Sequence, residues 1–182
     1  MRIDKAMGKK LYEQLRRILG GLTPMKSDCG LLCGKKCCSV REEGQGMYLF
    51  PGEESMYPEG SHWYSVEQSE EEVQHFTGKR PFILRCNGSC PREERPMACR
   101  IFPVAPYLTA AGELEIVLDD DALFLCPLVR QKNIEDLDTD FLEGVEKVWA
   151  HLIEGELTRE SVRSYSARIE QQAGDPWRLF FK

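Results

Sequence analysis

The sequence predicts an α+β fold, a small sheet with N- and C-terminal helices and cysteine-rich loops. Three observations predict it. Apolar residues recur at helical spacing near both ends, apolar and polar residues alternate around residues 107–118, and cysteines crowd two stretches between them.

At the N-terminal end, Ile3, Met7, Leu11, Leu15, Ile18, Leu19 and Leu22 follow the spacing of an amphipathic helix, with Lys, Arg and Glu between them. Gly20 and Gly21 end that helix and Pro24 reinforces the stop. Residues 29–38 are a dense cysteine segment. An irregular stretch rich in Gly, Pro and Glu follows at 41–62, interrupted by the apolar run Met47–Phe50, which suits a short strand. Ser69–Phe76 suits a short helix and Pro81–Arg85 a further strand. Residues 86–106 form a second cysteine block, where Pro91, Pro96, Pro103 and Pro106 exclude a regular helix across the whole.

A hairpin is predicted over Tyr107–Leu118, with Ala111–Gly112 at its turn and Leu114, Ile116 and Leu118 on one face. Asp119–Asp121 reads as a solvated turn, since the spaced oxygen ligands of a calcium loop are missing. The last third is helical. Phe141, Leu142, Val145, Val148, Trp149, Leu152 and Ile153 make one stripe, opened by Asp140 with Glu143 three residues on. Thr158 caps a second helix carrying Val162, Tyr165 and Ile169, with Gly174 and Pro176 at its end. The organisation expected is one domain over 1–182, with a cysteine core at about 27–130 and helical extensions at 1–22 and 138–173.

Composition narrows the function. With 42% hydrophobic residues the chain can bury a core, so it does not need covalent staples to fold. A net charge of −6 argues against broad nucleic-acid binding, which depends on Lys and Arg neutralising phosphates. Met1–Lys10 is charged and lacks the apolar stretch of an export signal, and no apolar run reaches membrane-spanning length. A cytoplasmic location is expected, and there disulfides rarely persist.

The eight cysteines therefore need another explanation. They run Cys29-x3-Cys33-x3-Cys37-Cys38, then Cys86-x3-Cys90-x8-Cys99, and finally Cys126. Zinc, iron and iron–sulfur clusters all select thiolates and want four converging on one point. Short intervals let one local turn deliver two sulfurs, and a remote block closes the site by folding over it. Gly30 and Gly34 follow cysteines, where backbone amides approach sulfur most easily without a Cβ. Pro91 and Pro127 follow Cys90 and Cys126, a Cys-Pro step also found at bacterial iron–sulfur ligands. The eight thiols can serve two four-sulfur sites, or one site with core thiols beside it. Adjacent side chains diverge, so Cys37 and Cys38 can belong to different centres. The Cys-x3-Cys-x2-Cys signature of radical chemistry with S-adenosylmethionine is not met.

These segments resemble the bacterial YkgJ-like family, whose signature is CxxCxxCC and which is described as a zinc- or iron-chelating domain. The resemblance is carried by the Cys-Cys pair, by Cys86-x3-Cys90, by the segment RPMACRIFP from Arg95 to Pro103, and by FPGEE at Phe50–Glu54. It covers roughly residues 29–130 and implies metal binding without a settled reaction. This chain departs from the signature by one extra residue in each gap, giving CxxxCxxxCC. Some relatives are similar to flagellin lysine methylases, but no Gly-rich methyl-donor site is present here.

Arg95 and Arg100 flank Cys99 and read either as donors to a thiolate centre or as surface ion pairs. His62, His75 and His151 are scattered; of these, His75 is the one considered as a ligand. Glu53 and Glu54 are expected in a solvated loop, with an oxygen ligand or proton acceptor as the sharper alternative. Trp63 and Tyr64 are expected to cover the metal region. The functional expectation is a metal-binding protein; an iron–sulfur redox enzyme or electron carrier and a zinc-stabilised interaction module are the alternatives.

Overall fold

The computed structural model describes residues 5–39, 46–70, 80–88, 90–130 and 133–173. The predicted segments Ser69–Phe76 (largely) and Gly174–Pro176, together with Ile3 and His75, lie outside these ranges.

The N-terminal helix α1 spans Lys5–Leu19 and stops at Gly20, whose φ of +43° few other residues tolerate. Tyr12, Leu15 and Leu19 are its buried face, whereas Met7 is 63% exposed and lies off the stripe predicted for it. Two short helices follow, α2 (Cys29–Cys33) and α3 (Lys36–Ser39), then strand β1 (Met47–Tyr48) and a 3-10 turn at Glu53–Met56. Strands β2 (Tyr64–Gln68) and β3 (Phe82–Cys86) complete an antiparallel sheet in the order β1-β3-β2. In its register Met47 faces Leu84, and Tyr64 faces Cys86.

A 3-10 turn at Arg92–Glu94 leads into α4 (Met97–Ile101), so the second cysteine block holds only short turns of helix, as its prolines require. The hairpin predicted over Tyr107–Leu118 is β4 (Val104–Leu108) against β5 (Leu114–Leu118), starting three residues earlier, inside the stretch assigned to the cysteine block, with Val104 opposite Leu118 and Gly112 at φ +84° in the turn. Asp119–Asp121 is a turn leading into α5 (Ala122–Leu125), but Asp119 is partly buried rather than fully solvated, and burial raises its carboxyl. Helices α6 (Thr139–Leu152) and α7 (Glu156–Ala173) finish the described chain.

Two starts differ from expectation. Asp138, not Asp140, caps α6 by accepting from the Phe141 amide at 3.1 Å, because a cap must precede the first helical residue. Thr158 lies buried inside α7 instead of capping it.

The architecture is α+β, with two small sheets among the helices. The larger hydrophobic cluster joins Tyr12, Leu15 and Leu19 of α1 to Met97 and Ile101 of α4, Val104 of β4, and Phe141, Val145 and Val148 of α6. The helices from both ends of the chain therefore share one core with the cysteine-bearing α4, α1 packing on α6 and α7 on β4. Fully burying side chains of this kind stabilises a fold by roughly 1.5–3 kcal/mol each. A second cluster, Leu49, Tyr57, Trp63 and Leu84, lies between the three-stranded sheet and the turn at Glu53–Met56. Among the described residues no helix is long and apolar enough to cross a membrane.

Candidate metal centre

The first cysteine block folds as two helical turns joined by a left-handed step. Asp28 caps α2 by accepting from the Gly30 amide at 3.0 Å, and Gly34 closes it at φ +62°. Cys29 and Cys33 are four residues apart on one helix, so they share a face. Lys35 is also left-handed, at φ +56°, and its amide returns to the Gly30 carbonyl at 3.0 Å. This reversal starts α3, which carries Cys37 and Cys38. The extra residue in the first gap thus has a geometric meaning, since Cys29 and Cys33 stand one turn of helix apart, whereas the second gap holds the reversal at Gly34 and Lys35.

Cys99 comes from α4, and Cys126 follows α5. Six cysteines, Cys29, Cys33, Cys37, Cys38, Cys99 and Cys126, line one cavity of about 430 Å³. Cys90 stands beside it, accepting a hydrogen bond from Arg95 Nε at 3.3 Å. Cys86, the last residue of β3, packs with Cys90 against the second hydrophobic cluster and is not among the residues lining the cavity. All eight cysteines lie among the described residues, and none forms a disulfide.

The same wall is cationic. Lys35, Arg92, Arg95 and Arg100 line the cavity, and no Asp or Glu does so among the described residues. Each arginine is held differently. Arg92 donates to the Leu22 carbonyl at 3.2 Å and stands 3.6 Å from Asp28. Arg95 serves Cys90, as the donor reading expects. Arg100 corrects its own reading: it is buried, and Nη2 donates at 2.6 Å to the Gly20 carbonyl at the end of α1, answering the acceptors a helix leaves open there. Burial and the neighbouring cations lower Arg100 to about 10, still charged at neutral pH. Arg92, which the sequence reading missed, stands two residues after Cys90; its position beside a Cys-Pro step was the available signal.

Crowding raises some of these thiols. Burial, followed by the neighbouring Cys33 sulfur, pushes Cys29 up; Arg92 opposes both. Cys37 is raised first by its hydrogen bond with Cys38, then by burial and by charge on Cys38, Cys33 and Cys29. A bound cation removes this repulsion. Beyond the Cys37–Cys38 pair the thiols do not gather: among the described residues, no group of three or more His, Cys, Asp or Glu side chains is close enough to hold a metal ion. The donor chemistry fits a thiophilic metal, and ligation requires the sulfurs to turn inward.

The turn after Cys90 is fastened from behind. Arg16 donates to the Tyr57 hydroxyl at 2.9 Å and the Glu94 carbonyl at 3.2 Å, and Trp63 Nε1 donates to Glu94 Oε2 at 3.2 Å. Trp63 is therefore a buried core residue that anchors Glu94, not a cover over the cavity. Glu53 is likewise no solvated residue: it is fully buried and accepts the Met97 and Phe50 amides. His62 and His151 are absent from the cavity wall; His151 sits beside Gln14 and Glu154.

Comparison with family models, curated proteins and solved structures finds no match to this chain.

Proposed function

We propose that this chain is a metal-binding protein that holds zinc or iron, or an iron–sulfur cluster, through its cysteine-lined cavity. One observation carries the reading: six cysteines from three separate chain segments line a single cavity of about 430 Å³ whose charged side chains are all cationic. Thiolates suit soft metals, and the cations offset the negative charge that four thiolates leave around a divalent ion, about −2. Kinship with the YkgJ-like family belongs to the same proposal and rests on the segments FPGEE and RPMACRIFP, which meet in space through Glu53 and Met97. The metal stabilises the fold around α2 and α3, on the order of 10 kcal/mol when a structural zinc site is filled.

The test is elemental analysis and an absorbance spectrum on protein purified without oxygen and without a metal-binding tag. Bound zinc, or iron with visible absorbance and acid-labile sulfide, supports the reading. Protein with neither metal nor sulfide, and its cysteines paired, overturns it.

A second reading has its own observation. Leu31 and Leu32 on α2 are 78% and 71% exposed, and Phe124 on α5 is 76% exposed. These helices border the cavity, so exposed apolar side chains flank its mouth, as in a metal-stabilised interaction module. Colourless zinc protein whose self-association or partner binding is lost in a Leu31→Ser/Phe124→Ser variant favours that reading.

A further inference from the structure

We infer that the face around the cavity mouth binds a second copy of this chain, with α2 of each copy laid on α5 of the other about a two-fold axis. The inference rests on the second reading, the interaction module, and adds to it the partner and the pairing.

Apolar exposure is concentrated on this face. Of the five large apolar side chains exposed among the described residues, four are Leu31 and Leu32 on α2 and Leu123 and Phe124 on α5; the fifth, Met7, is on α1. Single exposed apolar residues are ordinary, but four of them on two helices that border one cavity mark a contact face. Neither helix hides its pair. α2 has five residues and buries none of them. At α5, Arg130 Nε donates to the Leu123 carbonyl at 3.1 Å and Nη2 to the Phe124 carbonyl at 2.7 Å, which fixes the helix while both side chains stay exposed.

Charge selects the occupant. Residues 26–36 carry Lys26, Lys35 and Lys36 against one acid, Asp28, whereas residues 119–130 carry Asp119, Asp120 and Asp121 against one base, Arg130. The α2 side is thus positive and the α5 side negative, by two formal charges each. A surface with opposite signs at its two ends is self-complementary under a two-fold rotation, which sets residue i on j and j on i. Leu31 and Leu32 of one copy then meet Leu123 and Phe124 of the other, and the exposed Lys35 meets the exposed Asp121. An anionic bilayer or a uniformly acidic protein would suit the lysines but would be repelled by the aspartates beside Phe124.

The experiment is sedimentation equilibrium of the reduced full-length chain at rising concentration, with the unfolding midpoint of every variant measured alongside. The mass should climb from 20.9 kDa towards twice that value. Leu31→Ser/Phe124→Ser, which alters only exposed side chains, should weaken the dimer at least about tenfold. Lys35→Asp and Asp121→Lys should each weaken it by about as much, because each sets like charges opposite one another twice. Aspartate tolerates the left-handed φ of +56° at Lys35. An equimolar mixture of the two charge variants should dimerise again, since every such contact between them joins opposite charges. A parent that stays at 20.9 kDa throughout overturns the inference. So does a dimer that survives Leu31→Ser/Phe124→Ser, or a mixture of the charge variants that stays monomeric. A monomeric parent that co-sediments with phosphatidylcholine–phosphatidylserine vesicles assigns the face to a bilayer and overturns it as well. The interaction-module reading fails on a different result, purified protein without zinc.

Discussion

Glu53 accepts a hydrogen bond from the Met97 amide at 2.6 Å, joining segments 44 residues apart in the chain. Its other oxygen accepts from the Phe50 amide at 3.1 Å, and the side chain is fully buried. Met97 opens α4, which carries Cys99 into the cavity and Arg100 onto the end of α1. A buried carboxylate at this point thus sets the position of one face of the cysteine cavity. It also satisfies a backbone donor that the first turn of a helix leaves open.

Replacing that carboxylate by an isosteric apolar group leaves one buried and one part-buried amide without acceptors. Each such orphan costs about 1–3 kcal/mol, so Glu53→Leu should lose about 2–6 kcal/mol in urea unfolding of the metal-free chain. A loss below about 1 kcal/mol would show that water or another group takes over both bonds.

Glu53 also predicts an inverted pH dependence. Burial raises its carboxyl from 4.5 to about 7, against the pull of the two amide bonds. The folded state then binds a proton more tightly than the unfolded chain, so stability falls as pH rises from 4.5 to about 7 and levels off above. This is opposite in sign to a carboxylate stabilised by an ion pair. The full difference is about 3 kcal/mol at most. Unfolding midpoints of the metal-free chain at pH 5.5 and 8 measure it, and Glu53→Gln should remove this component. An unchanged pH profile in Glu53→Gln would assign the titration to another group.

Arg95 touches Cys90 directly, so its loss should be felt by the metal more than by the fold. Outer groups that hold ligands commonly contribute ten- to a hundredfold in metal affinity, and Arg95→Ala should weaken zinc binding by about that factor. Arg95→Lys should fall between, because an ammonium keeps the charge but loses the planar fork. Competition with a chelator of known affinity gives the ratio. Equal affinity in all three proteins would remove Arg95 from the centre.

Two glycines should respond oppositely to the same change. A Cβ on Gly46 would stand 2.5 Å from the Leu84 carbonyl oxygen and 3.0 Å from its carbon, both backbone atoms of the central strand. Gly46→Ala should therefore cost about 1–3 kcal/mol, as overpacking does. Around Gly21 nothing lies within 4 Å, and its φ is not in the left-handed region. There Gly21→Ala should stabilise by about 0.4–1 kcal/mol through the unfolded chain. Thermal unfolding of the two variants compares them, and a Gly46→Ala protein as stable as the parent would disprove the close approach of these backbones.

What could be read in advance follows the range of the forces involved. The α6 stripe and strand β5 were legible because each is a repeating pattern with one more buried face, whereas the start of β4 was not, its consecutive Val104, Ala105 and Pro106 all being buried. Strand β2, Tyr64–Gln68, was not: it is an edge strand with only half-buried and exposed residues, and little in YSVEQ separates it from a loop. Glu53 was hidden for a different reason. Two glutamates among Gly and Pro look solvated, and only the arrival of Met97 from a distant segment makes the buried position tolerable. The cysteines were legible as a group by type and interval. That six of them line one cavity was not, since Cys99 and Cys126 come to the wall that carries Cys29 only through the packing of α4 and α5.

Helix α2 has five residues and no buried ones, and α3 has four. Helices this short are marginal in water, because forming the first turn fixes several dihedrals for one hydrogen bond. On the proposed reading, a metal tying Cys29 to Cys33 and both to distant sulfurs would replace the missing tertiary packing. Amides of residues 30–38 should therefore exchange quickly with deuterium in the metal-free chain and slow by at least about tenfold on zinc binding, a change of about 1.4 kcal/mol. Amides of α6, whose Phe141, Val145 and Val148 are fully buried, should hardly change. Exchange in the cysteine segment that is insensitive to zinc would mean that these two helices hold themselves, and that no metal is drawn to them.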